Sequence, residues 1–138
     1  MVDKGVIIRR TQEIENHLKR LGPYKELTLE RFVEDVVAQD VVEYNLFQIV
    51  NHLIDMVQHI AVDEEYGAPE SAYEAADMLA EKGILSPEDV RLFRRMVGFR
   101  NIVGHDYLSI DKKVVHAILS SGSNDITKFV SHITSRFL

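Results

Sequence analysis

The sequence contains no cysteine, which excludes both disulfide bonds and thiolate metal sites. It also lacks an apolar run of about 18 residues, the length that a membrane-spanning helix requires. Its first ten residues place charges directly beside a very short apolar patch, which is not the pattern of a secretory signal peptide. We therefore expect a cytoplasmic protein with no membrane partner.

The composition is typical of one globular domain that spans residues 1–138. The chain is 46% hydrophobic and 28% charged, and its length is enough for a single core. The net charge of −6 argues against a general, tight grip on nucleic acid, because such binding depends on neutralising phosphates. The charge is uneven, however, since residues 90–105 contain four arginines and no acid. This segment is either a local patch that attracts RNA or a solvated helix face.

Helical periodicity covers most of the chain, and no segment of real length alternates as a strand does. The sequence therefore predicts an all-α, up-and-down helical bundle. Residues with capping side chains precede four of the predicted helices, at Thr28, Ser71, Ser86 and Asp111. The predicted helices span residues 2–21, 28–37, 38–62, 72–82, 87–103 and 112–137, the last interrupted at residues 120–124.

The longest predicted helix, residues 38–62, has an apolar arc that covers nearly half of its circumference. This width predicts packing against both the bundle and a second copy of the chain. Its remaining face is polar but carries one formal charge, which predicts that the face meets a partner or lines a groove. That face consists of Tyr44, Gln48, Asn51, His52, Asp55, Gln58 and His59.

Three side chains on this polar face have a spacing that can hold a metal ion. His52, Asp55 and His59 follow one another at i, i+3 and i+7. No Glu-x-x-His pair accompanies them, and a closed site needs further ligands. We therefore expect a hydrogen-bonded polar stripe and no metal site.

Arg100 interrupts an otherwise apolar helix stripe. At about 100° per residue, it falls among the core-facing residues of the segment 90–103. A core-facing guanidinium must be paired or must face a cleft, because an unpaired buried charge costs several kcal/mol. A buried structural ion pair and a functional cleft both satisfy this condition. The stripe consists of Leu92, Met96, Phe99 and Val103.

His105 is the second candidate functional residue, and its position relative to Arg100 poses a geometric problem. On one continuous helix, residues five apart point about 140° away from each other. The two side chains can share a site if the chain turns at Gly104, which is a natural helix end. Otherwise a second copy of the protein must complete the site.

The spacing of Arg100, His105 and Tyr107 resembles the Arg-x4-His-x-Tyr motif of the HepT-like family in the HEPN superfamily. Residues 71–79, 83–85 and 96–101 are also similar to the family, and the resemblance extends over most of the chain. It implies an α-helical homodimer in which the Arg100 and His105 side chains of both copies meet in a cleft at the interface.

The resemblance also implies a function. Several HEPN proteins are metal-independent ribonucleases, and HepT-like members act as toxins beside an MNT-type minimal nucleotidyltransferase antitoxin. The antitoxin uses ATP to adenylylate the motif tyrosine, which is Tyr107 here. The toxin itself needs no cofactor. RNA is the implied substrate, with Arg100 and His105 as catalytic residues.

Two residues of the motif have open roles. Asn101 either binds phosphate, orients the motif or makes a helix-end hydrogen bond, and Asp106 either orients His105 or is a solvent-exposed loop acid. The function also has an alternative, a non-catalytic HEPN module that binds a nucleotide or RNA and partners a nucleotidyltransferase. A purely structural dimer is a third hypothesis.

Overall fold

The computed structural model describes residues 1–106 and 110–138, and these residues form α-helices and no strand. The all-α prediction is therefore confirmed. A short 3₁₀ turn at Gly22–Tyr24 follows the first helix. The six helices described are α1 (Lys4–Leu21), α2 (Leu29–Glu34), α3 (Val36–Asp63), α4 (Ala72–Glu81), α5 (Pro87–His105) and α6 (Lys112–Phe137).

Helix α3 lies at the centre and packs against each of the other five helices, with α1 along its length. Most of its apolar arc is buried within this one chain by α1, α4 and α5, and Phe47 remains half-buried. The predicted packing of this helix against a second copy stays a prediction. The buried arc includes Leu46, Ile49, Val50, Leu53, Ile54, Met56, Val57 and Ile60.

Helix α5 begins at a capping box that also ties it to α6. The Ser86 hydroxyl accepts a hydrogen bond from the Asp89 amide at 3.1 Å, and the Asp89 carboxylate accepts one from the Ser86 amide at 2.8 Å. The same carboxylate oxygen lies 2.5 Å from Nδ1 of His132 on α6. These bonds fix both the orientation and the position of the first turn of α5. Because the helix is continuous, they also help to fix its C-terminal end.

Helices α2 and α6 differ from their predicted extent. Helix α2 ends at Glu34 because the Asp35 carboxylate accepts a hydrogen bond from the Ala38 amide at 3.0 Å and so starts α3. Helix α6 is continuous, and the interruption predicted at residues 120–124 is wrong. There, the Ser121 hydroxyl donates to the Ala117 carbonyl at 2.9 Å, and Gly122 is buried in the helix.

In the described part of the chain, no helix is both long and apolar enough to cross a membrane.

Candidate active-site cleft

Arg100 lies on α5 and lines a cleft of about 520 Å³ that α3 and α4 complete. It is half-buried, as its place in the apolar stripe predicts. Its Nη1 donates a hydrogen bond to the side-chain oxygen of Asn101 at 2.9 Å, while its Nε is buried without a hydrogen-bond partner in the described chain. Asn101 thus orients the guanidinium and leaves a donor unused.

No carboxylate forms an ion pair with Arg100 among residues 1–106 and 110–138, so the interpretation as a buried structural pair is not supported there. A guanidinium that lines a cleft without an acidic partner is suited to bind an anion, because its planar set of N–H groups matches a phosphate or carboxylate.

The polar face of α3 supplies one wall of this cleft. Asn51, Asp55 and Gln58 all line it, which confirms the prediction that this face borders a groove. The Asp55 carboxylate is also 2.9 Å from Nη2 of Arg10 on α1, so its charge is compensated from outside the cleft. Arg100 therefore remains the cation available to a ligand among the residues that line the cleft.

Helix α4 supplies the other wall, which the sequence did not predict. Ser71, Ala72 and Tyr73 line the cleft at the first turn of this helix. Residues 71–79 are similar to the HepT-like family, but the resemblance does not show that they face Arg100. Only the packing of α4 beside α5 brings residues so distant in sequence together.

His105 does not lie in the cleft with Arg100. Helix α5 continues through Gly104 to His105, and the amide of Asp106 donates to the Ile102 carbonyl at 2.8 Å to close its last turn. The helix end predicted at Gly104 is therefore wrong, and the chain does not make the turn there that was one of the two alternatives. On this continuous helix His105 is exposed and points about 140° away from Arg100. Asp106 is likewise exposed.

Tyr107 lies outside the described residues. Beyond it, Ile110 is buried and Asp111 caps α6 through a 2.9 Å hydrogen bond from the Lys113 amide. Lys112 Nζ lies 2.5 Å from a carboxylate oxygen of Glu43, which is almost completely buried on α3. This ion pair fixes the chain to α3 directly after the motif.

Comparison with known proteins gives the family. The model of the family described as ribonuclease HepT-like matches residues 14–133. The chain belongs to this HepT-like family.

Relatives and solved structures agree with this assignment. The chain is 27% identical to the mRNA nuclease HepT of Shewanella oneidensis, over 93% of the chain and 96% of that protein. It is 25% identical to the tRNA nuclease HepT of Aphanizomenon flos-aquae, over 97% of the chain and 91% of that protein. It is also similar to the tri-AMPylated HEPN toxin of Shewanella oneidensis, solved in complex with an MNT antitoxin. There the TM-score is 0.85 at 27% identity, over 98% of this chain and 99% of that one. The family predicted from the motif is confirmed.

The other arginines of α5 in this HepT-like chain lie on its exposed side. Arg91 pairs with Glu88 at 3.2 Å, and Arg94 pairs with Asp77 at 2.8 Å. Arg95 is exposed on the same side. Because two of these three charges have acidic partners, the patch attracts RNA less strongly than the sequence alone indicates.

The predicted polar stripe on α3 does not bring its three potential metal ligands together. Among the described residues, the group of such ligands that lies within 4.8 Å is instead Glu13, His17 and His52. Arg10 Nη1 lies 3.3 Å from His52 Nδ1, and Arg20 Nη1 lies 3.4 Å from His17 Nδ1. Two guanidinium groups against the imidazoles oppose a bound cation, so this arrangement favours a hydrogen-bonded cluster.

His52 gives a prediction about stability in acid. Burial is the main cause that lowers the pKa of its imidazole, and the charges of Arg10 and His17 lower this pKa further. Glu13 and Asp55 raise it by smaller amounts. The unfolded chain therefore binds this proton more tightly than the folded chain. As the pH falls below about 6.5, the free energy of unfolding decreases until the folded-state pKa has been passed.

We expect a His52→Gln variant to lose less stability than the wild type between about pH 7.5 and about pH 5.5. Urea unfolding at the two pH values measures the difference, and the remaining titratable groups are common to both proteins. Equal losses of unfolding free energy would contradict the prediction.

Proposed function

We propose that this chain is an endoribonuclease toxin of the cytoplasm that cleaves RNA, without a metal ion or cofactor, in a cleft shared by two copies of itself. The observation that carries the proposal is Arg100, a half-buried guanidinium that lines an open cleft and has no carboxylate paired with it in the described chain. Support comes from the relatives, which are named as an mRNA nuclease and a tRNA nuclease.

The geometry of α5 supports the dimer that we propose. Because the helix runs through Gly104 without a turn, Arg100 and His105 of one copy diverge. A second copy can bring an Arg100 and a His105 together. Homo-oligomers usually have two-fold symmetry, which here places the motif of each copy opposite that of the other.

The proposed chemistry uses the nucleophile that RNA contains. One His105 imidazole removes the proton from a ribose 2′-OH, and the oxygen attacks the neighbouring phosphorus. Arg100 stabilises the additional negative charge on the phosphoryl oxygens. The bond from phosphorus to the 5′-oxygen breaks, and the His105 of the other copy gives that oxygen a proton. The products end in a 2′,3′-cyclic phosphate and a 5′-hydroxyl.

This mechanism predicts RNA cleavage that resists metal chelation. We expect the purified protein to cut single-stranded RNA equally well with and without excess EDTA. A substrate with 2′-deoxyribose throughout should remain intact because it lacks the nucleophile. Gel analysis of the fragments and of their cyclic phosphate ends measures both results. Loss of cleavage in EDTA would contradict metal independence.

We further propose that a nucleotidyltransferase antitoxin silences the enzyme by adding AMP to Tyr107. A relative of this chain has been solved in its tri-AMPylated state with an MNT antitoxin. An AMP group two residues from His105 adds both bulk and negative charge, and each opposes entry of an RNA phosphate.

Co-expression with such an antitoxin tests this role. We expect the intact mass to rise by one or more AMP groups, RNA cleavage to fall, and Tyr107→Phe to prevent both changes. Tyr44→Phe is the matched control, because Tyr44 is an exposed tyrosine on α3, away from the motif. This variant should still gain AMP. An unmodified wild-type protein, with ATP and an active antitoxin present, would refute the role of Tyr107.

A non-catalytic RNA- or nucleotide-binding module is the second candidate. The net charge of −6 and the acidic partners of Arg91 and Arg94 favour a nucleotide over a long RNA as its ligand, because both weaken attraction for a long RNA. Under this alternative, the wild type binds a nucleotide or RNA and leaves RNA uncut.

A further inference from the structure

We propose that the cleft beside Arg100 holds one unpaired nucleobase of single-stranded RNA, stacked on the ring of Tyr73. The side-chain amides of Asn51 and Gln58 then face the hydrogen-bonding edge of that base. The inference rests on the proposed function, which places the phosphate next to this base at Arg100.

The size and charge of the cleft fit a base better than a second phosphate. Its volume of about 520 Å³ is that of a typical small-ligand site. The charged residues that line it are Arg100 and Asp55, and the carboxylate of Asp55 is paired with Arg10. A cleft with one available cation is suited to one phosphate and a neutral group beside it.

Tyr73 is the aromatic residue that lines this cleft, and its ring is held in place. The guanidinium carbon of Arg94 lies 5.2 Å from the ring centroid, over one face. Asp77 in turn fixes Arg94 through the 2.8 Å ion pair. A ring that is already oriented loses little conformational freedom when a base stacks on it. Such stacking is the usual way in which proteins hold single-stranded RNA.

Asn51 and Gln58 provide hydrogen-bonding groups that the described chain leaves unused. They are two turns apart on α3, so they lie on the same side of the helix and line the cleft together. Neither side-chain amide makes a hydrogen bond in the described part of the protein. Each amide offers both donors and an acceptor, the combination that pairs with the edge of a nucleobase.

A binding experiment tests the stacking. We expect Tyr73→Leu to raise the Kd of the full-length protein for a fluorescein-labelled, single-stranded 2′-deoxy oligonucleotide by about tenfold in anisotropy titrations. Tyr73→Phe keeps the ring and should restore most of the affinity. The matched control is Tyr66→Leu, since Tyr66 also has a cation over its ring, Lys82 at 5.4 Å, but does not line the cleft.

A cleavage experiment tests the specificity. Tyr73→Leu should raise KM more than it lowers kcat, whereas Arg100→Ala should mainly lower kcat. Gln58→Leu should change which base flanks the cut, as read by sequencing the fragments of a random RNA pool. A fully base-paired RNA of the same sequence should be a poor substrate, because its bases are not free to enter the cleft.

The outcomes separate this inference from the proposed function. If the wild type cuts RNA, Tyr73→Leu leaves KM unchanged and Gln58→Leu leaves the flanking base unchanged, then the base subsite is refuted and the ribonuclease stands. If the wild type binds the oligonucleotide through Tyr73 but cuts no RNA, the subsite stands and the ribonuclease is refuted. A Tyr66→Leu variant that loses as much affinity as Tyr73→Leu, or a second copy of the chain found to fill the cleft, would also refute the subsite.

Discussion

Replacing Arg100 with alanine should lower the rate of RNA cleavage by at least about 10²–10³-fold, the usual effect of removing a donor that stabilises a transition-state charge. The effect should fall mainly on kcat, because the phosphate gains most of its additional charge after binding. Arg100→Lys should recover only part of the rate, since an ammonium keeps the charge but lacks the planar set of donors. Single-turnover assays with a labelled RNA measure the rates.

The structure indicates that Arg100→Ala remains folded. The substitution breaks no ion pair in the described chain, so no carboxylate is left buried without its cation. Its urea midpoint should stay close to that of the wild type. Arg95→Ala is the matched control, because Arg95 lies on the same helix but on the exposed side. Equal rates in Arg100→Ala and the wild type would remove the site on which the proposed function depends.

Much of the fold was predictable because its signals are local. Each predicted cap, at Thr28, Ser71, Ser86 and Asp111, accepts a backbone hydrogen bond at the start of a helix. Such a bond depends on residues within one turn, so it can be predicted from the sequence alone. The half-buried position of Arg100 was predictable for the same reason, because helical periodicity fixes which side of α5 it occupies.

The errors arose where a local signal had more than one outcome. Glycine ends a helix in some contexts and continues it in others, and Gly104 continues α5 as far as the Asp106 amide that closes its last turn. The serines near Gly122 predict a break, but the helix runs through them. The Ser121 hydroxyl instead donates to the Ala117 carbonyl of the preceding turn.

The cleft itself was only partly predictable. The polar face of α3 indicated a groove, because it carries few charges for a solvated surface. Tyr73 lines the same groove because of the way in which α4 packs on α3 and α5. No local sequence pattern predicts that packing. The pairing of Asp89 with His132, 43 residues apart, is of the same kind.

Replacing His105 with alanine should lower cleavage by about 10²–10⁴-fold, the range for loss of a general acid or base. Because His105 is exposed at the end of α5, its removal leaves no cavity in the core and should not change stability. The open position also allows millimolar imidazole in the buffer to restore part of the rate. Recovery with imidazole would distinguish a proton-transfer role from a structural one, and unchanged cleavage in His105→Ala would contradict the mechanism.

The same histidine tests whether the site is shared between two copies. Differently tagged copies allow purification of a mixed dimer that has one intact copy and one copy with both Arg100→Ala and His105→Ala. If each copy contained a complete site, this dimer would retain about half of the wild-type rate. Since Arg100 and His105 diverge on one continuous helix, we expect the rate to fall far below half. Under the proposal of a shared site, the intact copy lacks the Arg100 and His105 of its partner.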